Sequence, residues 1–269
     1  MRRSAVGGVL LAVLLVGAAV MVLASPHSQR FTAAVSPDQF QEALDPALIG
    51  QYPPILGVAH NAGNRLDTLS VALDNGAAVI EVDVVSTRGR LVAGRDQRLA
   101  WIANRLFRGP TLEQVWNAAE SAQILKLDLK QDDQAYLDDL VAFLAPREGT
   151  RRVMISTRDA DALRFLRGQL ADVELLTSLA NPEAIATFRS DGALRAEVDG
   201  VSVFQGLVDG PLVTWLHEER LLVLTWTVND VVRLNQVVSA GVDGVTTANL
   251  AILQELAPAI PSSPAKDPT

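Results

Sequence analysis

The stretch GVAHNAGNRLDTLSVALDNGAAVIEVDVV (57–85) holds two apolar runs around an amphipathic segment. The first run closes on His60. Residues 65–76, RLDTLSVALDNG, then place apolar side chains at helical spacing and stop at a glycine. In the second run, AAVIEVDVV (77–85), the side chains alternate between two faces. Glu81 and Asp83 share one face, and Ile80, Val82 and Val84 share the other. The stretch therefore reads as one strand–helix–strand unit.

The unit recurs along the chain. Further β-type runs lie at 54–60, 123–130, 152–158, 173–179, 200–204, 221–228 and 241–247. Helical segments such as DQAYLDDLVAFL (133–144) separate them. With 77–85 they make eight strands alternating with helices, which calls for an α/β fold with a parallel sheet. Eight units in roughly 200 residues fit a (β/α)8 TIM barrel at the lower end of its usual size. A doubly wound open sheet would hold fewer strands, and its usual Gly-rich phosphate loop is absent.

The flanks read differently. MRRS followed by an uncharged apolar run (5–24) is long enough to span a bilayer, yet it ends in a small-residue pattern typical of cleaved leaders. Residues 1–24 are thus expected to be a signal peptide or an N-terminal membrane anchor. Either reading leaves Arg2 and Arg3 in the cytoplasm and carries the rest across, as a membrane-anchored domain facing outward or a secreted or periplasmic one. Residues 25–52 read as a linker, 53–256 as the barrel, and the Pro/Ser-rich 257–269 as a disordered tail.

The 269 residues are 49% hydrophobic and 20% charged, the balance of a globular chain. A net charge of −8 argues against a nucleic-acid partner, because such binding rests on clustered Lys and Arg. With no cysteine, disulfides, thiolate catalysis and Cys-ligated zinc are excluded.

Barrel active sites lie at the C-terminal ends of the strands. There the sequence places His60, then Glu81 and Asp83, then Asp128 and Lys130. In the third long run Lys126, Asp128 and Lys130 share a face opposite Leu125, Leu127 and Leu129. The leucines belong under the helices, so the charges point into the barrel. Three converging carboxylates, Glu81, Asp83 and Asp128, suit Ca2+ or Mg2+. The same residues equally suit an ion-pair network with Lys126 and Lys130.

In order along the chain stand His60-Asn61-Ala62-Gly63, Thr68-Leu69, Gly76-Ala77, Glu81-Val82-Asp83, Asp128-Leu129-Lys130, Trp226-Thr227-Val228-Asn229 and Gly241-Val242-Asp243-Gly244. This series resembles the glycerophosphodiester phosphodiesterases, which are barrels of the phospholipase C-like group. The resemblance covers 55–256. It implies a phosphoric diester hydrolase acting on glycerophosphodiesters or phospholipid head groups, with the cation on Glu81, Asp83 and Asp128. It further implies a phosphate contact from Lys130, acid/base work by His60 through a cyclic phosphate, and a pocket wall from Trp226. Trp226 is equally readable as core filling of a small barrel.

The chain also departs from the family's pattern. Where the family carries a second histidine, this chain has Arg95, which cannot shuttle a proton and can only clamp phosphate or developing charge. Asn61 stands in place of the family's arginine, and Ala248 in place of an aspartate. The departures leave a second reading open: a weak or silent barrel that binds phospholipid or phosphate groups. His27 and His217 read as surface residues outside this chemistry.

Overall fold

The computed structural model describes residues 55–94 and 109–256. Its strands are β1 (Leu56–Ala59), β2 (Val79–Ser86), β3 (Leu91–Ala93), β4 (Ile124–Leu129), β5 (Arg152–Thr157), β6 (Val173–Leu179), β7 (Gly200–Phe204), β8 (Leu222–Trp226) and β9 (Gly244–Thr247). All but β3 pair in parallel, in the order β1-β2-β4-β5-β6-β7-β8-β9, and β9 returns to β1. That is a closed eight-stranded (β/α)8 barrel, and each of its strands lies on one of the eight β-type runs of the sequence.

The helices are α1 (Leu66–Asp74), α2 (Leu112–Ala118), α3 (Gln134–Leu144), α4 (Ala160–Gln169), α5 (Pro182–Ser190), α6 (Gly192–Glu197), α7 (Gly210–Glu218), α8 (Val231–Ser239) and α9 (Leu250–Leu256). Each helix from α2 to α8 is preceded by a Thr, Asp or Asn whose side chain accepts from the backbone N–H three residues on. Such caps satisfy amide groups that the first turn leaves without partners. Part of the acidic excess of the chain is therefore structural and sits at the starts of helices.

Strand alternation sorts the core into two layers. Outward side chains such as Ile80, Val82, Leu125, Leu127, Val201 and Val223 are fully buried beneath the helices. A smaller apolar cluster, Val58, Val79, Ile124, Met154, Leu176 and Leu224, fills the barrel below the mouth. Tyr136 of α3 is buried and donates to the Val84 carbonyl (2.9 Å), tying the helix layer to the upper end of β2. Burial pushes its phenol well above the usual range.

One element departs from the plain alternation read in the sequence. β2 continues through a tight turn into β3, which pairs with it antiparallel, Val84 opposite Ala93 and Ser86 opposite Leu91. Arg88 (φ 55°) and Gly89 (φ 70°) both take left-handed backbone, and Thr87 and Arg90 exchange backbone hydrogen bonds across them. That is the geometry of a two-residue hairpin whose twist matches the strands. Arg-Gly is a weak signal for it compared with Asn-Gly, and a three-residue strand is too short to show a period.

Candidate active site

The strand register fixes which side chains meet at the mouth. Glu81 lies beside Lys126, and Asp83 beside Asp128, which lies beside Ser156 of β5. One carboxylate oxygen from each of Glu81, Asp83 and Asp128 can be chosen so that all lie within 4.8 Å of one another. Such an all-oxygen donor set suits a hard divalent cation. These residues could hold one.

Two ammonium groups interlock the carboxylates. Lys126 Nζ lies 3.1 Å from Glu81 Oε2. Lys130 Nζ lies 2.8 Å from Asp83 Oδ1 and donates a short hydrogen bond to Asp128. Ser156 Oγ donates to Asp128 Oδ1 at 3.0 Å. Burial alone would raise the Asp128 carboxyl, but Lys130, Lys126 and the Ser156 hydroxyl outweigh it and hold the group below its ordinary range. Burial would likewise lower the Lys130 ammonium, yet Asp128 and Asp83 carry it above its usual value.

The loop after β1 supplies a second ring of contacts. Asn64 donates to Asp83 Oδ2 (2.8 Å), while its own oxygen accepts from the Asp83 backbone N–H (2.9 Å). The Asn61 amide satisfies both its neighbours with its oxygen on His60 Nε2 (3.1 Å) and its nitrogen on the Asp83 carboxylate (3.0 and 3.2 Å). It therefore bridges His60 to Asp83 and favours the His60 tautomer protonated at Nε2. Asn61 sits at φ 56°, a left-handed conformation that asparagine tolerates better than most residues. Gly63 allows the loop to lie against β2, since a Cβ there would come within 2.7 Å of Val82 Cβ.

The mouth opens into a cavity of 490 Å3. His60, Glu81, Lys126, Asp128 and Lys130 line it from β1, β2 and β4, with Ser156, Ser178, Ser202 and Trp226 facing them from β5 to β8. Asp83 is fully buried behind this surface. Trp226 donates through Nε1 to the Ser202 carbonyl (3.1 Å) and packs edge-on against Phe204, ring centres 5.5 Å apart. Its ring therefore borders the cavity.

The structure thus gathers His60, Asn61, Glu81, Asp83, Asp128 and Lys130, with Trp226 across the cavity. Arg95 lies outside the described residues, as do His27, the N-terminal apolar run and the Pro/Ser-rich tail. Gly94, the last described residue before that segment, donates to the Asp83 carbonyl at 2.9 Å. His217 is on α7, with its ring 3.0 Å from Asp243 Oδ2. Asp243 also accepts from the Val223 N–H, so this pair braces β8 and takes no part in the cavity. Asn229 likewise serves structure, its side chain accepting from Thr247 Oγ1 and the Ala248 N–H.

Sequence reasoning missed Asn64, Ser156, Ser178, Ser202 and the cavity-lining Arg158. Ser156, Ser178 and Ser202 were findable by extending the inward alternation of Glu81 and Asp83 to the later strands. Asn64 and Arg158 sit beyond strand ends, where alternation says nothing. Among the described residues, no helix is long and apolar enough to cross a membrane.

A family model described as the glycerophosphoryl diester phosphodiesterase family matches residues 110–251, more than half of the chain. No curated protein matches. A solved structure from Silicibacter pomeroyi, assigned as a glycerophosphoryl diester phosphodiesterase, superposes with a TM-score of 0.64 at 21% identity, covering 78% of this chain and 95% of its own. A phosphodiesterase from Oleispira antarctica, solved with the product sn-glycerol-3-phosphate, gives 0.62 at 19% identity, with 74% of this chain and 95% of its own covered. A glycerophosphodiester phosphodiesterase from Parabacteroides distasonis gives 0.62 at 19%, with 77% and 98% covered. At such identities these likenesses speak for the barrel fold.

Proposed function

Because the chain belongs to the glycerophosphoryl diester phosphodiesterase family, we propose that it is a metal-dependent hydrolase of glycerophosphodiesters or related phospholipid head groups. The observation that carries the reading is the convergence of His60, Glu81, Asp128 and Lys130 on one cavity at the strand ends. A similar structure bound to sn-glycerol-3-phosphate supports the substrate class.

Glu81, Asp83 and Asp128 would hold Ca2+ or Mg2+. When bound, such an ion neutralises phosphate charge. Lys130 meets a phosphate oxygen from the partly exposed end of β4. His60 takes the proton from the substrate hydroxyl that attacks phosphorus and returns it to the leaving oxygen. A cyclic phosphate results, and water opens it. In the resting site Asn61 holds the His60 ring against Asp83. Trp226 walls the pocket for the organic part of the diester.

Arg95 supplies positive charge to the phosphate in place of a second proton carrier. The apolar run 5–24 carries the domain across the membrane, as an anchor or a leader, toward glycerophosphodiesters outside the cytoplasm. The purified chain, given glycerophosphocholine with Ca2+ or Mg2+, is expected to release glycerol phosphate slowly. Absence of turnover of every phosphodiester tried, with either metal, would overturn the reading.

The Arg95 and Asn61 departures favour a second reading, a barrel that binds phosphate groups and cleaves weakly or not at all. Arg95→His separates the two. A gain of about tenfold or more in turnover marks a competent scaffold lacking its proton partner. Metal-dependent diester binding without cleavage in both proteins marks the silent barrel.

A further inference from the structure

Lys126 is a cation set within the carboxylate cluster itself. Its side chain faces inward on β4 between Ile124 and Asp128, and strand register sets it beside Glu81. It is 2% exposed, and its ammonium lies 3.1 Å from Glu81 Oε2. At that depth the charge is poorly solvated and needs a counter-ion. Lys130 differs, because its side chain is 19% exposed at the mouth and can turn toward a bound phosphate.

Glu81, Asp83 and Asp128 face Lys126 and Lys130, a group with one net negative charge. Adding a divalent cation leaves the group with one net positive charge in a poorly solvated place. Repulsion between the ion and a fixed ammonium nearby is weakly screened there. Glu81 is also shared, since an oxygen committed to Lys126 is a poorer ligand for the ion.

We propose that Lys126 is a built-in cation competing with the divalent ion for Glu81, so that the Lys126–Glu81 pair sets the metal affinity of this chain. The inference rests on the metal-dependent hydrolase reading, but it concerns binding and is measured without turnover. Lys126 keeps Glu81 in place when the ion is absent and weakens the site's hold when the ion is present.

The test is titration of the full chain with Ca2+ by calorimetry and with Tb3+ by luminescence, comparing wild type, Lys126→Met and Lys126→Arg. Lys126→Met is expected to bind at least about tenfold more tightly, the effect of removing one nearby like charge. Lys126→Arg, which keeps the charge, is expected to match wild type. Ca2+ should also raise the melting temperature of Lys126→Met by more than it raises that of wild type. If Lys126→Met does not fold, Lys126→Gln, whose amide can donate to Glu81, is read in the same way.

Equal, measurable affinity in wild type and the neutral variant overturns the proposal and leaves the metal site standing. Tighter binding by Lys126→Arg also overturns it. No binding in any of the proteins overturns the proposal together with the metal dependence of the hydrolase reading.

Discussion

Two walls of one barrel mouth carry different kinds of side chain. On β2 and β4, Glu81, Asp83, Asp128 and the two lysines are committed to one another by hydrogen bonds and ion pairs, and Asn61 ties His60, at the end of β1, to Asp83. On β6 to β8, Ser178, Ser202 and Trp226 border open space, with Phe204 exposed beside the indole. Strand geometry is the same on both sides, so the difference lies in what each sequence puts at inward positions. One wall is preorganised to hold charge, and the other leaves room for whatever the phosphate carries.

The contrast predicts that the charged wall fails in rate and folding, and the open wall in binding. His60→Ala should lower kcat by about 10²–10⁴-fold, the usual effect of losing an acid/base group. An unchanged rate would show that the chemistry lies elsewhere. Glu81→Gln leaves the Lys126 ammonium buried without its counter-ion and is expected to cost about 3–5 kcal/mol in urea unfolding. A cost below about 1 kcal/mol would mean that Lys126 finds another partner.

Asn64→Ala removes both hydrogen bonds to Asp83, with an expected loss of about 1–3 kcal/mol by the same measurement. The open wall should respond otherwise. Ser178→Leu fills cavity space and is expected to raise KM for glycerophosphocholine about tenfold with little change in kcat. A fall in kcat at unchanged KM would erase the division between the walls.

The smallest effect expected is one of pH. The folded Asp128 carboxyl lies below its unfolded value, so its contribution is present above about pH 4 and is lost as pH falls through the folded value. In metal-free buffer, wild type should lose stability across that window more steeply than Asp128→Asn. Parallel curves would show that Lys130 and Lys126 do not hold the carboxylate charged.

Most of the charged wall was legible because a period of two makes it so. Once Glu81 and Asp83 share a face with aliphatic neighbours on the other, their direction into the barrel follows, and Lys126, Asp128 and Lys130 repeat the pattern. The eight strands followed for the same reason. Ser156, Ser178 and Ser202 follow that same period on the later strands, whereas the rest of what escaped had no period to show it. Asn64 reads as an ordinary loop asparagine, and only the fold brings it 19 residues forward onto Asp83. The β2–β3 hairpin turns on Arg88 in a left-handed conformation that its residue type does not announce. Lys126 was visible as a charge among carboxylates, but its burial against Glu81 comes from closure of the barrel.

The central claim is tested most directly by following glycerophosphocholine by phosphorus NMR with wild type and His60→Ala, each with Ca2+ or Mg2+. The account predicts conversion of the diester resonance to a phosphomonoester by wild type, and near-absence of conversion by the variant. A diester left intact by wild type, or consumed equally by both proteins, would contradict it.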